Sequence, residues 1–193
     1  MSEKVEAIAA SLLYPGGEVR VEVKINKRPE KLENVVIGLL DNRKPNADVI
    51  LDTIRNKLKE NGVKDFVYYP LVSRSEREVD EEMLEKMSKV DALVMAAGDC
   101  GSCSYRLSLL AIQFEKKGIP TVIIATDVFA SEVIDILHSQ GLRKTPVVIL
   151  KAPIEDLKKS EMREATNAII DQVVAALTLQ PKNDKGPRMV GFS

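Results

Sequence analysis

Ala92-Leu93-Val94-Met95-Ala96-Ala97-Gly98-Asp99-Cys100-Gly101-Ser102-Cys103-Ser104 is an apolar run that gives way at once to a turn of small and polar residues. Beyond it, Leu107, Leu110, Ala111 and Phe114 recur at helical spacing. A strand, a tight turn and a helix in that order is how α/β proteins present a nucleophile or cradle an anion. Both cysteines of the chain lie in this turn. The spacing sets Cys100 at the mouth of the helix and Cys103 in its first turn, where the helix dipole favours thiolate over thiol. Two blander arrangements share the pattern: a buried cysteine pair in a tight turn, or half of a metal site.

The same beat repeats on both sides. Val35 to Leu40 is a continuous apolar run, as in a central parallel strand buried on both faces. It ends in Asp41-Asn42-Arg43-Lys44-Pro45, and Asn46 is placed to cap a helix carrying Ala47, Ile50, Leu51, Ile54 and Leu58. Asp65 to Tyr69 reads as the next strand, Ser73 to Glu78 as a charged loop, and Asp80 to Val90 as a short helix with Met83, Leu84 and Met87 inward. After the cysteine helix come a buried strand, Thr121 to Ala125, and a helix, Ala130 to Gln140, stopped by Gly141. A fifth strand, Val147 to Leu150, is followed by one long amphipathic helix over about Ser160 to Leu177.

This alternation predicts an α/β fold: a flavodoxin-like or Rossmann-like doubly wound parallel sheet of about five strands, in the order 2-1-3-4-5. Pro15-Gly16-Gly17 and the alternating Glu18 to Ile25 add an N-terminal hairpin or flap. The expected division is an arm over 1–33, a core with the Cys-x-x-Cys site over 34–180, and a flexible tail over 181–193.

A chain of 193 residues, 45% hydrophobic and 30% charged, is long enough to bury a sizeable core as one domain. A net charge of −1 gives no electrostatic reason to expect nucleic acid or a membrane surface as partner. The N-terminus lacks a basic-then-apolar plan, and no apolar run approaches the roughly 18 residues that span a bilayer. The expected location is therefore cytoplasmic, where a Cys-x-x-Cys more often means redox, catalysis or metal than a structural disulfide. One such pair without nearby histidines is a poor zinc site, so no metal is expected. The dinucleotide and P-loop fingerprints are absent, and no cofactor is evident beyond an external thiol reductant.

In such a sheet, ligands bind outside the carboxyl ends of the strands. The distinctive polar segments all fall there: Asp41, Asn42 and Lys44 after the first core strand, and Asp99, Gly101, Ser102 and Ser104 around the cysteines. Thr126 and Phe129 follow the fourth strand, and Pro153 the fifth. Singly, each is ordinary turn chemistry. Together they line one edge with the thiols and form the candidate substrate site. Cys100, ahead of the helix, is the expected nucleophile. Cys103 shares a stripe with Leu107 and Leu110, leans inward, and is placed to resolve an adduct on Cys100. The amides of Gly101 to Ser104 suit an oxyanion or carboxylate, and Lys44 or Arg106 an acidic substrate group. His138, the one histidine, sits at a helix end expected at the opposite edge, so the thiolate must be made by the helix terminus.

Asp99-Cys100-Gly101-Ser102-Cys103 resembles the motif of the UGSC family, named for selenocysteine-Gly-Ser-Cys, in many of whose members cysteine replaces selenocysteine. Leu12 to Gly17, Leu40 to Asp48 and Pro120 to Phe129 are also similar to that family. The resemblance implies that Cys100 occupies the selenocysteine position and reacts directly. The family is related to the selenoprotein B subunit of the glycine, sarcosine and betaine reductases. Those subunits extend the motif to a third cysteine, where this chain has Ser104, Tyr105 and Arg106, and no pyruvoyl-forming segment is present.

Three functions follow as expectations. The first is a thiol enzyme or enzyme subunit that cleaves a carbon–heteroatom or sulfur bond in a small polar or anionic substrate, reset by a partner subunit or thioredoxin-like reductant. The second is a thiol–disulfide relay or sensor, and the third a non-catalytic flavodoxin-like binding module. The Glu18 to Ile25 strand and the Phe192 tail point to a homo-oligomer, since an edge strand invites pairing.

Overall fold

The computed structural model describes residues 25–72, 78–151, 153–178 and 189–190. The strands are β1 (Val36–Asp41), β2 (Asp65–Pro70), β3 (Ala92–Gly98), β4 (Thr121–Thr126), β5 (Val147–Leu150) and β6 (Met189–Val190). The helices are α1 (Ala47–Glu60), α2 (Glu81–Met87), α3 (Gly101–Lys116), α4 (Ala130–Ser139), α5 (Lys159–Asn167) and α6 (Ile170–Thr178). All strand pairs are parallel, in the order β2-β1-β3-β4-β5-β6. This is the flavodoxin-like order expected from the alternation, with one short strand added. Met189–Val190 lies in the stretch read as a tail and pairs with Val147 and Val148. Two residues leave no periodic signal.

The apolar runs explain the layers. Every residue of β3 and β4 is buried, as strands covered on both faces must be. One core packs α1, α5 and α6 on one face, and a second packs α2, α3 and α4 on the other. A Cβ on Gly38 would lie 2.8 Å from Leu93 Cδ1 and 3.0 Å from Met87 Sδ, so only glycine lets α2 and β3 close over β1.

Two expectations change. Asn46 is no side-chain cap: it is left-handed, with φ of 66°, and its amide donates to the carbonyls of Ile154 and Leu157 at 2.6 and 2.9 Å. The long C-terminal helix is two helices, α5 and α6, because the apolar stripe runs on across a turn at Ala168 and Ile169. Leu84 is half-buried and packs against the second core beside the fully buried Met83 and Met87, as its spacing predicts. Arg28, in the segment that leads into β1, is fully buried and pairs with Glu115 at 3.0 Å. The hairpin expected around Pro15 to Lys24, and residues 73–77 of the charged loop, lie outside the described residues.

Candidate functional site

Parallel strands carry the ends of β1, β3, β4 and β5 to one edge, and the order reverses between β1 and β3, where sheets of this topology have their ligand crevice. The backbone around this switch point is tied across it. The Asn42 amide bonds Ala97 twice, donating to its carbonyl at 2.8 Å and accepting its N–H at 3.0 Å. Arg106, a candidate ligand for an acidic group, is 3% exposed, and its guanidinium donates to the Asn42 carbonyl at 2.8 Å. Arg106 and the Asn42 amide therefore brace the backbone across the switch point.

At the end of β3 the chain turns directly into α3. Cys100 is the N-cap of that helix, with extended backbone, and its Sγ accepts the N–H of Cys103 at 3.2 Å. Cys100 and Cys103 are joined as a disulfide, with Cα atoms 5.2 Å apart. Both are half-buried, so burial class does not separate an outward attacker from an inward resolver. The Ser102 hydroxyl lies 3.5 Å from Cys100 Sγ, and Gly101 and Ser102 are exposed at the helix start. Their amides have no intrahelical acceptor, by position in the first turn.

Ser104 departs from its expected role. Its N–H donates to the Cys100 carbonyl, while its hydroxyl is fully buried under the helix and finds no partner among the described residues. A Cβ on Gly98 would lie 3.2 Å from that hydroxyl and 3.3 Å from Ala125, so this glycine lets the helix start close on β3 and β4.

The rest of the wall is acidic and basic in alternation. The Thr126 side chain lies beside Asp99, and its hydroxyl donates to the Gly98 carbonyl at 3.3 Å. Burial pushes the Asp99 carboxyl up from its ordinary pKa, against the opposing pull of Thr126 and Lys44. The Lys44 ammonium lies 3.9 Å from Asp99 Oδ2 and forms a closer ion pair with Glu155. Asp41 is 3% exposed; it accepts the Arg43 N–H at 2.6 Å and the Tyr68 hydroxyl at 2.5 Å. Burial first, then the Asp41 carboxylate, hold that phenol well above its ordinary pKa.

Phe129, half-buried, starts α4 with its N–H on the Thr126 carbonyl, and Pro153 is exposed on the β5–α5 loop. Both sit at the edge that holds the thiols. His138 lies at the far end of α4 beside Arg143 and the start of β5, at the opposite edge. Burial, then Arg143, lower its pKa.

Sequence reading missed Glu155 and Glu132. Both Glu132 carboxylate oxygens lie 3.7 Å from where a Cβ on Gly101 would sit. Glu155 carries no local signal, since its partner is 111 residues away; Glu132 is an ordinary first-turn acid of α4. Among the described residues no group of three or more His, Cys, Asp or Glu is placed to hold a metal, and no helix is long and apolar enough to cross a membrane.

Over residues 11–179 the chain matches the UGSC family. No curated protein matches the sequence. Among solved structures, it is similar to the flavodoxin-like domain of a Synechococcus sp protein at 15% identity and a TM-score of 0.38, covering 72% of this chain and 97% of that one.

Proposed function

The chain belongs to the UGSC family, and we propose that it is a thiol-dependent enzyme, or the thiol-bearing subunit of one. In this reading Cys100 is the attacking sulfur and Cys103 the resolving one. The observation that carries it is Cys100 at the N-cap of α3, its Sγ accepting the Cys103 N–H and bonded to the Cys103 sulfur. A backbone donor and the positive end of a 16-residue helix both favour the anionic sulfur. No histidine is required, and the one histidine is at the other edge.

The substrate is a small polar molecule, R–X, with a heteroatom leaving group on a carbon next to a carbonyl. The Cys100 thiolate displaces X, so a C–S bond forms as the C–X bond breaks. The Cys103 thiolate then attacks the Cys100 sulfur. The S–S bond forms, the C–S bond breaks, and its electron pair leaves with R, which takes up a proton. The net change is two-electron reduction of R–X to R–H at the expense of the dithiol, and an external dithiol restores it. The disulfide fits the oxidised end of this cycle. The amides of Gly101 and Ser102 and the walls carrying Lys44, Asp99, Thr126, Phe129 and Pro153 supply the binding surface.

The same disulfide also favours a second reading, a thiol–disulfide relay with no small substrate. The deciding experiment is iodoacetamide alkylation of the reduced protein as a function of pH. A Cys100 midpoint below about 7.5 supports both readings, and one near 8.5, the free-thiol value, overturns both. Cys103→Ser then separates them. A small-molecule adduct trapped on Cys100 supports the enzyme, whereas a mixed disulfide with another protein supports the relay.

A further inference from the structure

Lys44 reaches from the β1–α1 loop into the crevice, where its side chain is 11% exposed between two unlike carboxylates. Asp99, 9% exposed, is part of the wall and lies beside Thr126. Glu155 is 48% exposed on the β5–α5 loop, and its ion pair with Lys44 is the closer of the two. A carboxylate that stays half in water is exchanged more readily than one built into the wall, so Glu155 is the replaceable partner of the Lys44 ammonium. Asp99 adjoins Cys100 in the chain, so the Lys44 ammonium lies at the same edge as the cysteine turn.

We infer that Glu155 is an internal stand-in for a substrate carboxylate: the site takes a small carboxylate, which replaces Glu155 on the Lys44 ammonium. This rests on the reading of Cys100 as a reactive thiol and deepens it by naming the substrate class. The exchange is close to neutral for Lys44, which keeps one carboxylate partner throughout. Glu155 passes into water, where an exposed carboxylate loses little. A neutral substrate cannot drive that exchange, because it brings nothing to replace the ion pair. The Asn46 amide on the Ile154 and Leu157 carbonyls flanks Glu155 and keeps the loop in place when the side chain moves.

The test compares two alkylating probes of nearly equal size, iodoacetate and iodoacetamide, on the reduced protein in a Cys103→Ser background. Each forms a C–S bond on Cys100 and expels iodide; they differ in the carboxylate. The ratio of the two rates cancels changes in sulfur reactivity and reports recognition of the anion, with a free cysteine derivative as reference. The expected ratio exceeds the reference, falls to or below it in Lys44→Met, and rises about 2- to 5-fold in Glu155→Gln. Raising the salt to about 1 M should shrink these differences. One ratio shared by all three proteins, or a fall in Glu155→Gln, overturns the inference. Glu155 is on the surface, so its variant decides even where Lys44→Met folds poorly. The iodoacetamide profile alone judges the reactive-thiol reading. An ordinary profile with a shifting ratio sinks that reading and keeps the anion site, and the converse sinks the anion site alone.

Discussion

At Asp99, burial and charge oppose each other. Burial raises its pKa; Thr126 and Lys44 lower it, and Glu155 and Asp127 raise it again, with a net rise. The folded protein therefore holds a proton on Asp99 at pH values where the unfolded chain has released it. Between the two pKa values the native state binds more protons, so stability falls as pH rises through that window. Asp99→Asn cannot ionise. It should be more stable than the parent above the window and lose that advantage below the ordinary carboxyl pKa of about 3.9. Matched urea titrations from about pH 3 to 7 check this, and a gap that does not change with pH contradicts it. Asn42 teaches the opposite lesson at the same scale. An Asn in a loop beside a site reads as a ligand, yet its amide is spent on both backbone groups of Ala97. Nothing local distinguishes the two uses, because the partner is 55 residues away.

The element that matters most is α3, and its first residue has two roles that can be separated. As N-cap, Cys100 accepts the Cys103 N–H, a role a serine hydroxyl fills equally well. As nucleophile it needs sulfur. Under reducing conditions Cys100→Ser should match the parent in urea stability while losing all iodoacetamide labelling at this position. Cys100→Ala should lose about 1 kcal/mol as well, the usual cost of removing a cap. Equal stability of the Ser and Ala variants would show that the cap bond contributes nothing. The helix start was legible because an apolar strand, a small-residue turn and a 3.6-residue stripe adjoin in sequence. The seating of that start was not, since it depends on Gly98 meeting Ser104 and Ala125 across the sheet.

Across the whole molecule, the segment before β1 is pinned at the edge remote from the thiols. Arg28 donates to Glu115 and to the Thr121 carbonyl, while Glu115 accepts from Asn26 and Thr121. Burial lowers the Arg28 pKa, and Glu115 opposes that shift. Removing one member strands the other charge in the interior, so Glu115→Ala should cost about 3–5 kcal/mol in urea unfolding. Because the pair lies away from the crevice, the pH midpoint of Cys100 alkylation in the folded variant should stay with the parent. A loss below about 1 kcal/mol would show that water reaches the pair. In sequence, Lys27-Arg28-Pro29-Glu30 reads only as a connector, because charge alone says nothing about what a distant helix brings to it.

By itself, the sequence determined the alternating α/β architecture, the helix that presents Cys100 and the edge where polar loops gather. These follow from short-range periodicity and from the rule that parallel strands send their carboxyl ends to one side. Tertiary structure alone decided which polar residues face the crevice and which brace it. It decided the strand order, turned Arg106 and Asn42 into bracing across the switch point, and brought Glu155 to Lys44. The physical reason is that a polar side chain takes the nearest partner when it loses water. At this crevice those partners come from residues 55 to 111 positions away, beyond the reach of any local pattern.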